Sequence, residues 1–208
     1  MKDRVSKFFY RLIARTVRFL LKLIWKYEVK NIENLPDPPY LIVANHLSLL
    51  DPFIIGAIYD FRLYYLAKQE IFKFPLTRPL IRWLGGIDVD RKDFKKDSWK
   101  RIKRLIEDKN ILVIFPEGTR NENPEKGLLP LKAGASVLAM QYGLTIVPMG
   151  IIGTDKVWKR GKILPNLNYK VLVKIGKPIK VDKILKPTKD DIIKLNNKIK
   201  EAISNLIS

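Results

Sequence analysis

Residues 40–59 read YLIVANHLSLLDPFIIGAIY, and this stretch decides the fold of the chain. The apolar run at 40–44 has the length and composition of a buried strand. A polar loop at 45–51 follows it, and Pro52 marks the first turn of a helix that we expect over 53–59. A buried strand, a short loop and a helix form the repeating unit of α/β folds, in which such loops carry the functional residues.

The same alternation continues on the carboxyl side of this stretch. Short apolar runs predict strands at 63–67, 87–89, 111–115, 145–152 and 169–175. Helical patterns predict helices at 76–84, 92–108 and 131–142, and Thr188 with Asp191 resembles a capping box that opens a C-terminal helix. We therefore expect residues 35–208 to form a single α/β domain with a mixed, mostly parallel central sheet flanked by helices.

Composition excludes several classes of protein and of site. The chain has 208 residues, of which 47% are hydrophobic, so it can bury a core and is not intrinsically disordered. It has no cysteine, which excludes disulfides, thiolate zinc sites and cysteine nucleophiles. Its only histidine is His46, which excludes a histidine-rich metal site and leaves one residue for imidazole chemistry. We expect no metal and no cofactor.

The net charge of +19 favours partners that carry negative charge. Nucleic acid, anionic lipid headgroups and acidic proteins all meet that description, and composition alone does not choose among them. The distribution of the charge along the chain is more informative, because it concentrates many of the cations in one segment.

That segment is residues 1–34, where cations recur every three or four residues from Arg4 to Lys26. On a helix these cations occupy an arc of roughly 100°, and most of the remaining surface is apolar. Three interpretations remain open: a helix packed on its own domain, a nucleic-acid-binding helix, and an interfacial membrane helix. Most aromatic residues lie off the basic stripe, which disfavours stacking on bases. We expect the segment, as one helix or two, to contact both an anionic membrane surface and the rest of the protein.

The loop at 45–51 carries a candidate general base. A histidine acts as a base when a carboxylate holds its other ring nitrogen, and Asp51 is close enough in sequence to approach His46. The alternatives are that Asp51 caps the helix that follows and that His46 is an ordinary loop histidine with satisfied hydrogen bonds.

Two further loops carry arginines after predicted strands. Arg91 ends the loop at 85–91, and the loop at 115–121 reads FPEGTRN and contains Arg120. Arginine binds phosphate with two parallel hydrogen bonds, and Gly118 allows the backbone to approach a ligand closely. Solvated arginines in turns are the alternative. The chain has neither a G-x-S-x-G elbow nor a P-loop, so serine hydrolases and P-loop nucleotide hydrolases are excluded.

At these residues the chain resembles the glycerolipid acyltransferases, in particular the bacterial 1-acyl-sn-glycerol-3-phosphate acyltransferases. The matching residues are Asn45, His46, Ser48 and Asp51 of the motif N-H-x-S-x-x-D; Gly85, Ile87 and Arg91 of a looser second motif; all of F-P-E-G-T-R at 115–120; Val147 and Pro148; and Lys68. The resemblance covers residues 35–180 and leaves the N-terminal helical segment outside it.

The resemblance implies a direct acyl transfer. His46, oriented by Asp51, would take the proton of an acceptor hydroxyl, which attacks an acyl thioester carried by acyl carrier protein or coenzyme A. Ser48 is the one residue to examine as an alternative nucleophile. Arg91 and Arg120 would hold the acceptor phosphate, with Lys68 as a weaker candidate. The substrate-positioning residues would be Glu117, Gly118 and Thr119.

The implied acceptor is lysophosphatidic acid, acylated at its sn-2 hydroxyl to give phosphatidic acid. Glycerol 3-phosphate or another lyso-lipid is the alternative acceptor, and a noncatalytic basic protein that binds membranes or nucleic acid is the alternative from another class. An enzyme of this kind would act at the cytoplasmic face of the cell membrane, bound to its anionic surface and not to nucleic acid.

Overall fold

Helices and strands alternate along most of the chain in a computed structural model that describes residues 2–68, 72, 78–89, 96–158, 161–162 and 164–208. The strands are β1 (Glu28–Lys30), β2 (Tyr40–Ala44), β3 (Tyr64–Lys68), β4 (Gly86–Val89), β5 (Leu112–Ile114), β6 (Thr145–Ile152) and β7 (Leu172–Ile175). The α-helices are α1 (Lys2–Trp25), α2 (Asp51–Gly56), α3 (Arg78–Trp83), α4 (Lys96–Glu107), α5 (Gly134–Tyr142), α6 (Thr154–Val157) and α7 (Lys189–Ile207). Short 3-10 helices lie at Ile32–Asn34 and Pro124–Lys126.

The seven strands form one sheet in the order β1-β7-β6-β2-β5-β3-β4. Every neighbouring pair is parallel except β6 and β7, which run antiparallel. The predicted mixed, mostly parallel sheet is therefore confirmed. Because β6, β2, β5, β3 and β4 run in the same direction, the loops that follow them begin at one edge of the sheet.

Both faces of the sheet are covered, which explains the continuous apolar run of β2. Tyr40, Ile42 and Ala44 belong to a core on one face, together with residues of α1 and α2. Leu41 and Val43 belong to a second core that includes buried side chains of α4, α5 and α7. A strand buried on both faces needs apolar residues at every position, not at alternate ones.

The predicted elements are present, and helices α2 and α5 are shorter than expected. Helix α2 begins two residues earlier than expected, at Asp51, and ends at Gly56. Helix α5 begins at Gly134 instead of 131 and ends before Gly143, whose φ of 65° suits glycine. The capping box of α7 is confirmed, since the Thr188 hydroxyl accepts a hydrogen bond from the Asp191 N–H at 3.2 Å and the Asp191 carboxylate accepts one from the Thr188 N–H at 2.9 Å.

Strand β1 was not expected from the sequence. It pairs in parallel with β7, with Glu28 opposite Leu172, so residues 28–30 belong to the sheet. The boundary placed between residues 34 and 35 remains a prediction, since the sheet draws residues from both sides of it.

Helix α1 is a single helix with three faces. One face is buried against the domain and carries Tyr10, Ala14, Leu21 and Trp25. A second face is apolar and exposed, and its large side chains are Phe9, Leu12, Ile13, Phe19, Leu20 and Leu23. The basic stripe lies between them, and two of its arginines, Arg15 and Arg18, form ion pairs with Asp60. In the described part of the chain, no helix combines the length and the apolar character needed to span a bilayer.

Candidate active site

His46 lies directly after β2 and is paired with Asp51. Its Nδ1 is 2.7 Å from the Asp51 Oδ2, which is hydrogen-bond distance. The pair forms within a loop of only a few residues because α2 begins at Asp51 and turns its first side chain back toward the strand end. The expected histidine–carboxylate pair is therefore present.

Asp51 is fully buried and holds the loop around itself. Its Oδ2 also accepts hydrogen bonds from the N–H groups of Leu47 and Ser48 at 2.6 and 2.8 Å, and its Oδ1 accepts one from the Thr154 hydroxyl at 2.7 Å. The carboxylate thus faces four donors, all of them on or beside the His46 loop. It does not cap α2, because the N-cap position belongs to Leu50 and no side chain caps that helix end.

The imidazole of His46 has one nitrogen available for chemistry. Its ring stacks on Phe115 with the centroids 4.3 Å apart and an angle of 21° between the planes. The side chain is 18% exposed, and Nε2 has no hydrogen-bond partner among the described residues. With a proton on Nδ1 donated to Asp51, Nε2 carries a lone pair that can accept a proton from a substrate. The alternative of a fully satisfied loop histidine does not fit this arrangement.

Two tyrosines fix the helix that carries Asp51. The Tyr27 hydroxyl donates to the carbonyl of Ile54 at 2.9 Å, and the Tyr65 hydroxyl donates to the carbonyl of Pro52 at 2.7 Å. Burial raises the pKa of both hydroxyls above the usual tyrosine value, so they remain neutral donors. Helix α2 is short and has few backbone hydrogen bonds of its own. The two tyrosine hydroxyls add hydrogen bonds to its carbonyl groups and so fix its position.

Glu117 joins the loop after β5 to the loop after β2. It is buried, its Oε1 accepts a hydrogen bond from the His46 N–H at 2.9 Å, and its Oε2 accepts one from the Leu129 N–H at 2.9 Å. Burial raises the pKa of this carboxyl, and the two backbone N–H groups oppose that effect. A second link runs from the Asn121 N–H to the His46 carbonyl at 2.7 Å. Glu117 therefore positions the backbone of His46, and direct contact with substrate remains a prediction.

The turn after Glu117 brings Arg120 to a cavity that the His46 loop reaches through Leu47. Gly118 has a φ of 69°, a conformation that glycine adopts without strain, and Thr119 is exposed. Arg120 is partly buried and lines a cavity of about 900 Å³ together with Leu47, the residue after His46. Among the described residues, Arg120 has no carboxylate within salt-bridge distance. Glu122, Glu125 and Asp155 line the same cavity, so the charge of its wall is mixed.

Ser48 is placed where it cannot easily act as a nucleophile. Its side chain is buried, and its hydroxyl donates to the carbonyl of Trp158 at 3.1 Å. The same oxygen is 3.4 Å from the N–H of Leu50. These contacts give Ser48 a part in linking two loops.

The other two expected phosphate-binding residues are Arg91 and Lys68. Arg91 lies outside the described residues, and Lys68 is the last residue of β3 with a side chain that is not described. Strands β3 and β4 are neighbours in the sheet, and β3 in turn pairs with β5. In the described part of the chain, no group of three His, Asp or Glu side chains could hold a metal ion.

Sequence reasoning missed Thr154, and it named Asn45 as a motif residue without giving it a structural role. The Thr154 hydroxyl donates to Asp51. Strand β6 ends at Ile152, and Thr154 follows after Gly153. A polar residue just after a strand is the same signal that identified His46. Asn45 ties β2 to β6, since its side-chain amide both donates to and accepts from the backbone of Ile151, at 2.8 and 2.7 Å. The polar residues that follow β6, β2 and β5 thus form one connected group.

The fold resembles a solved structure, that of PlsC, the 1-acyl-sn-glycerophosphate (LPA) acyltransferase of Thermotoga maritima. The two superpose with a TM-score of 0.75 over 99% of this chain and 80% of the other, at 24% sequence identity. At that identity the match shows a shared fold and nothing further.

Sequence comparison gives relatives with the name 1-acyl-sn-glycerol-3-phosphate acyltransferase. A chloroplastic enzyme of Brassica napus is 31% identical, and the match covers 99% of this chain and 59% of the relative. The enzyme of Saccharomyces cerevisiae is 31% identical, with 91% and 63% covered, and that of Bacillus subtilis is 27% identical, with 95% and 96% covered. The chain thus spans about three fifths of the plant and yeast relatives. A sequence profile of the acyltransferase family matches residues 26–152, which contain His46, Asp51 and the 115–120 motif, and the chain therefore belongs to the acyltransferase family.

Proposed function

We propose that the protein transfers a fatty acyl group from a thioester to the sn-2 hydroxyl of lysophosphatidic acid, giving phosphatidic acid. The donor is acyl carrier protein or coenzyme A carrying the acyl chain. The observation that carries the proposal is the His46–Asp51 pair at the end of β2, in a loop whose Leu47 lines the same cavity as Arg120. The names of the relatives support the same acceptor.

The reaction follows from the geometry of the imidazole. Nε2 of His46 takes the proton of the acceptor hydroxyl as its oxygen attacks the thioester carbon. The tetrahedral intermediate collapses, the carbon–sulfur bond breaks, and the imidazolium returns the proton to the leaving thiolate. The Asp51 carboxylate holds the Nδ1 proton and stabilises the positive charge that the ring gains.

The oxyanion of the intermediate needs a hydrogen-bond donor. The N–H groups of His46, Leu47 and Ser48 are already donated to Glu117 and Asp51. These three N–H groups of the loop after β2 are therefore not available to the oxyanion. In the turn at 118–120 the Gly118 N–H is donated to the Phe115 carbonyl at 3.0 Å, which leaves the N–H groups of Thr119 and Arg120 as the candidate donors of that turn.

The two halves of the substrate differ in polarity, and so do the two cavities beside the motif loops. The cavity of about 900 Å³ that Arg120 lines is the candidate site of the acceptor phosphate, with Arg91 and Lys68 as further cations. A second cavity of about 390 Å³ is lined mainly by apolar side chains, among them Phe115, Leu66 and Leu138. We assign the acyl chain to this second cavity, since apolar walls suit a hydrocarbon.

The exposed apolar face of α1 supports action at a membrane surface. Leu12, Phe19 and Leu23 are exposed on that face, and the stripe beside it contributes Lys22 and further cations. An amphipathic helix of this kind binds an anionic interface through apolar insertion and through about 1 kcal/mol per cation. We propose the cytoplasmic face of the cell membrane as that interface.

An acyl-transfer assay tests the proposal. Labelled acyl thioester is offered with lysophosphatidic acid or with glycerol 3-phosphate, to the unaltered protein, to His46→Ala and to a surface control, Lys200→Ala on α7. We expect transfer to lysophosphatidic acid that falls by about 10²–10⁴ in His46→Ala and is unchanged in the control. Preference for glycerol 3-phosphate would change the acceptor and keep the mechanism. A folded protein that acylates neither acceptor would refute the proposed function.

A further inference from the structure

The segment that joins α6 to β7 combines positive charge with exposed leucines. Residues 158–170 read WKRGKILPNLNYK, with four cations and no acidic residue. Leu164 is 79% exposed, Leu167 is 59% exposed and Tyr169 is 42% exposed. Large apolar side chains clustered on a surface mark a contact site, whereas scattered ones do not.

Hydrogen bonds hold several of the described residues of this segment in place. The Trp158 indole donates to the carbonyl of Lys162 at 2.8 Å, and the Asn166 N–H donates to the carbonyl of Val157 at 2.7 Å. The Asn168 N–H donates to the Asn166 side chain at 3.0 Å. Leu164 and Leu167 are therefore exposed next to residues that hydrogen bonds fix, which calls for a reason for their exposure.

The same segment forms a wall of the candidate acceptor site. Leu164 and Leu167 line the cavity of about 900 Å³ that also contains Arg120. The Ser48 hydroxyl donates to the carbonyl of Trp158, which joins the segment to the His46 loop. Any surface that covers the leucines would thus lie at the entrance to that cavity.

The segment is also joined to the end of α1. The Trp25 indole donates to the carbonyl of Asn166 at 2.9 Å, and the Val171 N–H donates to the carbonyl of Trp25 at 3.0 Å. Leu23, two residues from Trp25, belongs to the exposed apolar face of the helix. The carboxyl end of the helix that carries this face is therefore hydrogen-bonded to the segment.

We propose that residues 158–170 form a second membrane contact, which seats the entrance of the acceptor cavity on an anionic lipid surface. The proposal extends the proposed function, because it supplies the route by which a lipid acceptor reaches Arg120. Exposed leucines in a segment that also carries the exposed cations Lys162 and Lys170 are complementary to such a surface. An acidic carrier protein could meet the cations, but it would leave the exposed leucines unexplained.

The test compares full-length protein with the double variant Leu164→Ser/Leu167→Ser. Leu185→Ser/Ile193→Ser serves as the matched control, since both of these side chains are exposed and lie in or just before α7. Binding to vesicles of equal parts phosphatidylglycerol and phosphatidylcholine is measured by co-sedimentation. We expect the vesicle affinity of the test variant to fall by at least about tenfold, as expected when two inserted leucines are lost, and that of the control to stay unchanged.

A second readout separates this proposal from the proposed function. Transfer to lysophosphatidic acid in vesicles is expected to fall more than transfer to a short-chain acceptor dissolved in water. Unchanged vesicle binding, or an equal fall with both acceptors, would overturn the membrane contact and leave the segment as a cavity wall. A fall seen only with acyl carrier protein as donor would also overturn it. Lost vesicle binding in a protein that transfers no acyl group would support the contact and refute the function.

Discussion

Replacement of Asp51 by asparagine tests how the site holds its histidine. The carboxylate accepts from His46, Leu47 and Ser48 at Oδ2 and from the Thr154 hydroxyl at Oδ1. An asparagine amide has one oxygen and one NH₂ group. Three N–H donors surround the Oδ2 position, so the asparagine oxygen must occupy it. The NH₂ group then faces Thr154, whose hydroxyl can rotate and accept.

The variant therefore keeps the imidazole tautomer and loses only the negative charge. A hydrogen bond to a charged group stabilises by about 1.5–3 kcal/mol and a neutral one by about 0.5–1.5 kcal/mol. The imidazolium formed in the transition state thus loses about 1–2 kcal/mol, which is about a fivefold to thirtyfold fall in kcat. Asp51→Ala differs, because it leaves four buried donors without an acceptor at about 1–3 kcal/mol each and should lower the stability of the fold as well.

Steady-state acyl transfer and urea unfolding measure the two effects on the same proteins. We expect Asp51→Asn to lose activity with little loss of stability, Asp51→Ala to lose both, and the exposed control Asp182→Asn to lose neither. If Asp51→Asn lost as much activity as His46→Ala, the amide would be turned the other way and the argument from the three donors would be refuted. Adding Thr154→Val to Asp51→Asn removes the acceptor of the NH₂ group and should lower activity further.

Three further predictions concern other parts of the structure. Glu117→Gln sets an NH₂ group against one of two buried N–H donors, so it should destabilise the protein by about 1–3 kcal/mol in urea and lower kcat more than it raises KM. Phe19→Ser with Leu23→Ser on the exposed face of α1 should weaken vesicle binding and leave the melting temperature unchanged, which sedimentation and calorimetry can check. Hydrogen bonds from Thr188 lower the pKa of Asp191, so its contribution to stability exists above the unfolded-state pKa and is lost as pH falls through the folded-state pKa. Asp191→Asn should therefore destabilise the protein at neutral pH and have little effect in acid, and equal losses at both pH values would contradict this.

The strands of the sheet could be predicted because burial on both faces leaves a mark in the sequence. The run at 40–44 is apolar at every position, which only a covered strand requires. Strand β1 leaves no such mark, since Glu28–Lys30 has one apolar residue and depends on pairing with β7 far along the chain. The basic stripe of α1 was visible in its periodicity. The division of its apolar surface into a buried and an exposed face was not, because that depends on where the rest of the fold lies.

In the site, too, contacts between residues close in the sequence could be predicted, and contacts between distant residues could not. The pairing of His46 with Asp51 spans five positions and could be inferred from one loop. The partners of Glu117 could not, because one of them is Leu129, in a segment with no regular pattern. The resemblance implied a substrate-positioning role for Glu117, which remains a prediction, and it did not imply that both carboxylate oxygens accept backbone N–H groups. Thr154 was overlooked although it follows a strand, because threonine is common in loops and its side chain is not a usual catalytic or charged group.

Asp51 and Glu117 together explain how motif residues that are far apart in the sequence are held in one site. Each is a buried carboxylate that gathers N–H or O–H donors from the ends of neighbouring strands, Asp51 from those of β2 and β6 and Glu117 from that of β2. Three parallel strands alone would leave three independent loops. The carboxylates convert those loops into one rigid support for the imidazole, which is the preorganisation that general-base catalysis needs. The Trp25–Asn166 hydrogen bond links α1 to residues 158–170, and the Ser48–Trp158 hydrogen bond links those residues to the His46 loop. A membrane contact at α1 and at residues 158–170 would therefore hold the site at a fixed position relative to its lipid acceptor.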